Sequence, residues 1–265
     1  MRVIVTGGNS GVGAATASAL AAAGHSVMIA CRSIDKAQRV AAEMPGDVEV
    51  GSLDLADLAS VRTFADSVET VDVLVNNAAV MGMPLTRTAD GFEAHMGTNH
   101  LGHFALTCLL GDRIKDRVVS VTSATYLFTH LDLADLNWHT RKYSKFAAYG
   151  QSKLANLLFV HELAARGIRA YASDPGATDT DITRSMGMGE HRGMRRLLHT
   201  PAQGARASLQ AVSTDLPSGT YLAPRFNQFG PPKVTKPRPK AVDPEMARRL
   251  WELSAELTGC DWHSA

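Results

Sequence analysis

The sequence predicts a single α/β domain, a doubly wound parallel sheet of about seven strands with helices on both faces. Three observations predict it. Strand-like apolar runs alternate with helical patterns along most of the 265 residues. These runs are continuously apolar, which is typical of parallel strands buried on both faces. A glycine cluster lies between the first strand and the first helix, so a ligand is expected at the carboxyl ends of the strands.

The predicted elements follow in strand–helix order. Strands are predicted at Arg2–Val5, Ser26–Ala30, Val48–Gly51, Val71–Val75, Arg117–Val121, Ile168–Ala172 and Thr220–Leu222. Helices are predicted at Gly13–Ala23, Asp35–Met44, Leu58–Glu69, Gly91–Leu110, Tyr149–Arg166, Ala202–Val212 and Asp243–Leu257. Since no repeat or linker divides the chain, we expect one domain over residues 1–265.

Two segments interrupt the alternation of strands and helices. Thr125–Phe146 is a long polar and aromatic segment, and residues 183–200 are rich in Met, Gly and Arg. Loops of this length are usually functional lids or disordered segments. We interpret residues 183–200 as a lid over an apolar substrate, because methionine adapts to varied shapes. A membrane-surface helix is the competing interpretation.

Composition narrows the class of protein. The apolar content of 45% and charged content of 20% are those of a soluble globular protein, and the net charge of +1 does not favour a nucleic-acid partner. Three cysteines without metal-like spacing predict free thiols in a reducing compartment. Without a recognisable leader or an apolar stretch of bilayer length, we expect a cytoplasmic protein with no membrane span.

The first dozen residues predict a phosphate-binding turn. An apolar strand meets glycines with the spacing G-x-x-x-G-x-G, and a helical pattern follows. We expect Gly7 to take the turn conformation, Gly11 to let a pyrophosphate approach the backbone and Gly13 to let the helix pack closely. The residues predicted to contact a nucleotide cofactor through this turn are Gly7, Asn9, Ser10, Gly11, Val12 and Gly13.

The end of the second strand predicts which nucleotide binds. Arg32 and Ser33 stand where an NAD site usually carries an acid for the ribose 2′-hydroxyl, and an arginine suits a 2′-phosphate. The sequence therefore favours NADP(H) over NAD(H), although NAD(H) stays possible. The alternative is that Arg32 is a solvated charge at the start of a helix.

Further cofactor contacts are predicted at other strand ends. Asp54, which Leu55 follows, could accept a hydrogen bond from the adenine amine, and the small side chains of Ala78 and Ala79 would permit backbone contact. Each could also be simple turn chemistry. The complete set of these candidates is Asp54, Leu55, Asn76, Ala78 and Ala79, with Pro175, Gly176, Thr178 and Thr180 after the sixth strand for the nicotinamide amide.

Tyr149 and Lys153 are the candidate reacting groups. Their i, i+4 spacing puts them on one helix face, where an ammonium would lower the pKa of a phenol from about 10. A phenol tuned in this way suits acid–base chemistry on a carbonyl/alcohol pair. Ser123, just past the fifth strand, could donate to a substrate oxygen, and Asn99 is an unusual residue inside a helix. The alternative for Tyr149 and Lys153 is a pair of surface neighbours.

In order and along nearly the whole chain, these motifs resemble the short-chain dehydrogenase/reductases. They are Thr6–Gly13, Asn76–Ala79, Asn99, Ser123, Tyr149–Lys153 and Pro175–Gly176. Four segments resemble the retinol dehydrogenase-like and WW-domain oxidoreductase-like branch, namely Thr88–Glu93, Thr98–Phe104, Ser152–Asn156 and Ala247–Trp251. The resemblance implies a Rossmann fold.

The resemblance also implies roles for the reacting groups. Tyr149 would donate the proton to the carbonyl oxygen, and Ser123 would polarise that oxygen. Lys153 would bind the nicotinamide ribose and tune Tyr149, while Asn99 would hold a water of a proton relay. Asp174 is a departure, because relatives of this branch often carry His there.

The sequence therefore predicts an NADP(H)-dependent oxidoreductase that interconverts a carbonyl and an alcohol on an apolar small molecule. A homo-oligomer is expected through the Gly91–Leu110 and Tyr149–Arg166 helices. The runner-up is an NADP(H)-binding sensor of the same fold with little turnover. A hydrolase is disfavoured because no G-x-S-x-G elbow surrounds Ser123. His95, His100 and His103 are expected to be packed or hydrogen-bonded, so no metal site is predicted.

Overall fold

The computed structural model describes residues 1–180, 198–226 and 228–262. Its strands are β1 Arg2–Thr6, β2 Ser26–Cys31, β3 Val48–Ser52, β4 Val71–Asn76, β5 Ile114–Val121, β6 Ala170–Ser173, β7 Tyr221–Pro224 and β8 Pro232–Val234. They form an 8-stranded sheet in the order β3-β2-β1-β4-β5-β6-β7-β8. Strands β1 to β7 are parallel, which confirms the predicted doubly wound sheet.

Helices pack on both faces of this sheet. They are α1 Gly11–Ala22, α2 Ile34–Ala42, α3 Leu58–Ser67, α5 Lys145–Ala165, α6 Pro201–Ser213 and α7 Pro244–Thr258. Helix α4 combines Ala94–Met96, a π-helical segment Gly97–Leu101 and Gly102–Leu110. Short 3-10 helices lie at Gly111–Arg113, Ala124–Phe128 and Pro239–Ala241.

The sheet separates two apolar cores. Ile4 of β1 lies opposite Leu74 of β4, and Val5 lies opposite Val75. Because strand side chains alternate, Ile4 and Leu74 belong to the core on one face, and Val5 and Val75 to the core on the other. Strand β1 has β2 on one side and β4 on the other, so the chain reverses its winding there and opens a crevice at the carboxyl ends.

The eighth strand was not predicted. Strand β8 runs antiparallel to β7, with Leu222 opposite Val234 and Ala223 opposite Lys233. A three-residue strand that begins with one proline and follows another carries no periodic pattern, and it forms because the chain turns back onto β7. The prediction of about seven strands is therefore one strand short of the sheet described here.

Helix α5 begins earlier than predicted. Its first residue is Lys145 rather than Tyr149, because the Ser144 hydroxyl accepts a hydrogen bond from the Ala147 amide (3.3 Å) and caps the helix. Tyr149 therefore lies in the second turn. There its backbone is fixed by helical hydrogen bonds on both sides.

Helix α7 covers the α4–α5 pair. The Trp251 ring packs against Phe104 (4.9 Å between ring centroids) and Phe159 (5.8 Å), and the Ser254 hydroxyl hydrogen-bonds the His100 ring. Every residue from 148 to 160 is buried within the single chain. Helix α7 therefore covers much of the surface that was predicted for oligomerisation, and the oligomer itself stays a prediction.

Most of the predicted lid, residues 183–197 of 183–200, lies outside the described residues. Near the end of the lid, His199 is described, and it forms an isolated parallel β-bridge with Thr178, which follows β6. Among the described helices, none is both long enough and apolar enough to cross a membrane.

Candidate active site

A cleft of about 710 Å³ opens at the carboxyl ends of the parallel strands. It brings together nearly all of the predicted site residues from separate parts of the chain. Those that line it are Gly7, Asn9, Ser10, Gly11, Val12, Gly13, Arg32, Ser33, Asp54, Leu55, Ala78, Ala79, Ser123, Tyr149, Lys153, Pro175, Gly176, Thr178 and Thr180. Asn76 and Asn99 are not among the lining residues.

The glycine turn after β1 forms one end of the cleft. Gly7 has φ +66°, and a Cβ atom there would lie 2.9 Å from the Cα atom of Ala78. Ser10 is the N-cap of α1, and its side chain makes no cap bond to the described first turn. The Gly7 amide donates to the Ala30 carbonyl (2.8 Å), whereas the first amides of α1 have no side-chain cap from Ser10 and lie at the positive end of the helix dipole, where an anion binds. This cradle fits a nucleotide pyrophosphate.

The hydroxyl of Thr6 joins the β1 and β4 turns beneath the cleft. It accepts hydrogen bonds from the amides of Asn77 (2.9 Å) and Ala78 (3.0 Å). Asn76, predicted as a cofactor contact, instead donates to the Thr107 hydroxyl (3.0 Å) below the site, and Asn77 lines the cleft. Asn76 therefore supports the site from below, since neighbouring residues at a strand end point in opposite directions, and its contact with the cofactor stays a prediction.

Positive charge collects at the end of β2. Arg32 and Ser33 line the cleft as predicted, and Lys36, one helical turn further on, lines it too. The side chains of Arg32 and Lys36 are exposed, so both cations are open to an anion. Asp54 also lines the cleft, while its Oδ1 atom accepts a hydrogen bond from the Ala56 amide (3.0 Å) in a local turn.

Tyr149 and Lys153 lie side by side at the other end of the cleft. The Lys153 Nζ atom is 5.6 Å from the centroid of the Tyr149 ring, and it donates to the carbonyl oxygen of Val121 (3.0 Å). Both side chains are buried, with relative exposures of 7% for Tyr149 and 1% for Lys153. Ser123, on the loop after β5, hydrogen-bonds the Tyr149 phenol.

Burial dominates the acid–base properties of this pair. It raises the pKa of the Tyr149 phenol above its ordinary value, and the nearby Asp174 carboxylate raises it further, against the hydrogen bond from Ser123. Burial also lowers the pKa of Lys153 to about 8, partly opposed by Asp174. The predicted lowering of the phenol pKa is therefore wrong, because desolvation of the phenolate and the Asp174 carboxylate both raise it.

Asn99 lies in the π-helical segment of α4. Its Oδ1 atom accepts from the Val80 amide (2.8 Å), and its Nδ2 atom donates to the Val80 carbonyl (3.0 Å) and the Ser152 hydroxyl (3.0 Å). Both functional groups of the amide are thus used to fix Val80, which lines the cleft. A π segment widens the helix at this point, and such segments are frequent at functional sites. The water-holding role implied for Asn99 stays a prediction.

The three histidines of α4 are buried and hydrogen-bonded, as expected. The His95 Nδ1 atom lies 2.6 Å from Glu93 Oε1, and His103 bridges the Asn99 carbonyl and the Thr6 hydroxyl. Burial lowers the pKa of His103 to about 3, so its ring is neutral. Within residues 1–180, 198–226 and 228–262, no cluster of three or more His, Cys, Asp or Glu side chains has an arrangement for a metal ion.

The mouth of the cleft is apolar and partly formed by the long loop before α5. Phe128 and Phe146 line it with relative exposures of 75% and 41%, alongside Val80, Met81 and Leu198. Exposed aromatic side chains at a cleft mouth are more typical of a ligand site than of a monomer surface.

The loop behind this mouth, Thr125–Phe146, is held by Asp135. Its carboxylate accepts hydrogen bonds from the amides of His139 (2.6 Å), Thr140 (3.1 Å) and Arg141 (3.1 Å). Arg141 also donates to Gln151 on α5 (3.0 Å). The loop is therefore an anchored wall of the site.

Comparison with known proteins places this geometry in a family. The model of the short chain dehydrogenases matches residues 1–134. Retinol dehydrogenase 13 of Homo sapiens is 40% identical, over 98% of this chain and 85% of that protein. Retinol dehydrogenase 12 of Mus musculus is also 40% identical, over 98% and 87%. The chain belongs to the short-chain dehydrogenase/reductase family. Within it, the chain lies in the retinol dehydrogenase-like branch.

Solved structures of short-chain dehydrogenase type share the fold. A crystal structure of an uncharacterised protein from Mycobacterium paratuberculosis has a TM-score of 0.89 and 44% identity, and covers 99% of this chain and 95% of that one. A short chain dehydrogenase from Burkholderia cenocepacia, crystallised with NADP, has a TM-score of 0.65 and 26% identity, over 83% and 94%. This chain is accordingly an oxidoreductase with an NAD(P)-binding Rossmann fold.

Sequence reasoning missed several residues of this short-chain dehydrogenase site. Lys36 could have been found from the helical spacing after Arg32 and Ser33, since one turn returns to the same face. Phe128 and Phe146 flank a loop without periodicity, so no local pattern marked them. Asp174 was noted as a departure from relatives, but its contacts depend on three separate elements.

Proposed function

We propose that this protein is an NADP(H)-dependent oxidoreductase that interconverts a carbonyl and an alcohol on an apolar small molecule. The observation that carries the proposal is the convergence of Tyr149, Ser123 and Lys153 at one end of a cleft whose other end is a phosphate cradle. A phenol can protonate a carbonyl oxygen, and a hydroxyl can orient that oxygen by a hydrogen bond. An ammonium can balance the negative charge that develops there.

Each residue has a stated part in this proposal. Tyr149 donates its proton to the carbonyl oxygen during reduction and takes it back during oxidation. Ser123 donates a hydrogen bond to the same oxygen, while Lys153 binds the nicotinamide ribose and Asn99 supports a water relay to solvent. A bound nicotinamide would supply or accept the hydride. The protein then contributes position and electrostatics.

The preference for NADP(H) over NAD(H) is part of the proposal. Arg32, Ser33 and Lys36 support it, because two exposed cations and a hydroxyl suit a 2′-phosphate better than a 2′-hydroxyl. The complex of the Burkholderia cenocepacia relative with NADP also favours it. We propose that the turns after β1, β3, β4 and β6 contact the rest of the nucleotide.

The apolar substrate is inferred from the mouth of the cleft. Phe128, Phe146 and Met81 can cover apolar carbon without supplying charge. We further propose a cytoplasmic location from Cys31, Cys108 and Cys260, all free and buried. We also propose a homo-oligomer, which is common in this family.

Replacement of the phenol tests the reaction. We expect purified wild-type protein to oxidise NADPH in the presence of apolar aldehydes or ketones, and Tyr149→Phe to lower kcat by roughly 10²–10⁴-fold, because the proton donor is lost. NADPH binding should change little, since the ring remains. The measurements are NADPH absorbance for turnover and fluorescence titration for binding.

Tyr143→Phe is the matched control. Tyr143 donates to Glu93 (2.9 Å) away from the cleft lining, so the loss of its hydroxyl should leave the proton transfer intact. Turnover by Tyr149→Phe at the wild-type rate would refute the assigned acid. Tight NADPH binding without turnover of any carbonyl by the wild type would instead favour the sensor interpretation.

A further inference from the structure

A buried carboxylate lies behind the reacting pair. Asp174 follows β6 and has a relative exposure of 1%. Its Oδ2 atom accepts a hydrogen bond from the Tyr221 hydroxyl of β7 (2.9 Å), and its Oδ1 atom accepts from the Gly176 amide (2.8 Å). The Ala124 amide, next to Ser123, also donates to it. Asp174 thus joins three segments that border the site.

The groups that face this carboxylate come from each element around it. Helix α5 presents Tyr149 and Lys153, the 3-10 helix after β5 presents Tyr126, and β7 presents Tyr221. Three of these are neutral phenols, and Lys153 supplies positive charge. Asp174 and Lys153 therefore form an electrostatic pair inside the site, without a direct hydrogen bond among the described contacts.

We propose that Asp174 is a positioning residue whose charge holds the Tyr149–Lys153 pair in its proton-loaded state and so favours carbonyl reduction. The inference rests on the proposed function, because it concerns the proton that Tyr149 gives to the carbonyl oxygen. No proton passes through Asp174 itself. The phenol O–H bond breaks, the alcohol O–H bond forms, and solvent returns a proton to the phenolate.

The sign of the effect follows from electrostatics. A negative charge beside two titrating groups makes the loss of a proton from either one less favourable. The Asp174 carboxylate raises the pKa of both Tyr149 and Lys153, so the proton loss of each group moves to higher pH. Burial raises the pKa of Asp174 to about 6, so this charge is present above about pH 6 and absent well below it.

A purely structural role is the competing explanation. Gly176 has φ +68°, and the Asp174 carboxylate fixes the turn that Gly176 forms. The two roles are separable, because Asp174→Asn keeps an acceptor for the Gly176 amide and removes the charge. Tyr221→Phe does the reverse, since it removes a hydrogen bond to Asp174 and leaves the charge in place.

The test is the pH dependence of kcat/KM for NADPH-dependent reduction of an apolar aldehyde by wild type, Asp174→Asn and Tyr221→Phe. In Asp174→Asn we expect the alkaline decline to begin about one pH unit lower, which makes the rate at pH 9 about tenfold lower than in wild type. The two profiles should converge below pH 6. Tyr221→Phe should show no downward shift of the alkaline decline.

Stability gives a second readout that needs no substrate. Because the pKa of Asp174 is raised from 3.8 to about 6 in the folded protein, its ionised form opposes folding above pH 6, and this penalty is absent below about pH 4. The melting temperature of Asp174→Asn relative to wild type should therefore increase between pH 4 and pH 8.

The outcomes separate the two proposals. Absence of carbonyl reduction by the wild type would overturn the proposed function and the inference with it. Turnover that depends on Tyr149 but has the same alkaline decline in Asp174→Asn would overturn the inference alone. An equal downward shift in Tyr221→Phe would assign the effect to the turn. A difference in melting temperature that is constant from pH 4 to pH 8 would contradict the raised pKa of Asp174 on which the inference depends.

Discussion

The guanidinium of Arg32 stands at the end of β2, exposed at the rim of the cleft, with the Lys36 ammonium one helical turn away. A 2′-phosphate between them would exchange water for two charge-assisted hydrogen bonds. A 2′-hydroxyl carries no charge and would gain much less. The discrimination between the two nucleotides therefore depends on very few atoms.

Reversing this charge tests the nucleotide preference. In Arg32→Asp we expect the Kd for NADPH to rise about 10–100-fold, since a hydrogen bond to a charged group contributes roughly 1.5–3 kcal/mol. The Kd for NADH should change by less than about threefold, because its 2′-hydroxyl can donate to the new carboxylate. Fluorescence titration of both nucleotides measures the two constants.

Arg39→Asp is the control for the change in net charge. Arg39 lies on α2, the helix that follows Arg32, is exposed and does not line the cleft. Its substitution should weaken both nucleotides slightly and equally. If Arg32→Asp weakened NADPH and NADH by the same factor, Arg32 would be no more than a solvated charge at a helix start.

Residue types at strand ends were predictable from sequence, but the directions of their side chains were not always. Asn76 and Asn77 are adjacent and identical, yet Asn76 donates to Thr107 below the site, whereas Asn77 lines the cleft and donates to the Thr6 carbonyl (2.8 Å). The residue at which β4 ends determines which of the two asparagines lines the cleft, and a strand one residue longer or shorter would exchange their roles. Asp174 illustrates the same limit, because its partners come from distant elements.

At the scale of elements, the Thr125–Phe146 loop shows how a long segment becomes a fixed wall. Asp135 collects three backbone amides, the Thr140 hydroxyl (2.9 Å) and the Arg141 guanidinium (3.3 Å). These bonds hold the pKa of the Asp135 carboxyl well below its usual range. The Arg141 guanidinium also stacks on the Trp138 ring, with its Cζ atom 4.0 Å from the ring centroid. The loop therefore depends on one ionised group.

Asp135→Asn should loosen this wall in a pH-dependent way. A carboxyl whose pKa is lowered on folding stabilises the protein above its unfolded value of about 3.9, and this contribution is lost as the pH falls further. We expect a lower melting temperature for the variant at pH 7, and a difference from wild type that shrinks steadily below pH 4. Thermal unfolding by circular dichroism measures both.

Asp132→Asn is the matched control within the same loop. Asp132 makes one longer contact with Arg141 (3.5 Å) and its side chain is 40% exposed. Exposed pairs of this kind contribute little to stability. A melting temperature that fell as much for Asp132→Asn as for Asp135→Asn would show that Asp135 has no special part in holding the loop.

Helix boundaries and helix type were the elements least accessible from sequence. The pattern around Tyr149 predicted a helix, yet Ser144 begins it a turn earlier by capping. The unusual position of Asn99 was correctly noted, but its cause is the π segment Gly97–Leu101. One extra residue in a single helical turn does not visibly change the apolar periodicity within a window of eleven to eighteen residues.

At the scale of the whole molecule, α7 ties the carboxyl-terminal end to the helices that carry the reacting groups. The Trp251 ring is 3% exposed, packs on Phe104 and Phe159, and receives the Arg166 guanidinium on its face at 4.0 Å. Trp251 lies near the end of the sequence, whereas the helices that it contacts come much earlier in the chain. Sequence patterns predicted α7 itself but could not indicate what it covers.

Removal of the Trp251 ring should destabilise the fold as a unit. Because the ring is fully packed, we expect Trp251→Ala to lower the free energy of unfolding by about 3–5 kcal/mol. Urea denaturation followed by circular dichroism measures the loss. Trp262→Ala is the control, since Trp262 is only partly buried and should cost less than half as much. Equal losses would mean that α7 is not a structural support of α4 and α5.

The outer strand β8 has a consequence for how copies of this molecule meet. It is three residues long and begins with a proline, and another proline precedes it. Proline lacks an amide hydrogen, so this margin offers few donors to an incoming strand. Two copies should accordingly not join their sheets into a continuous ribbon through β8.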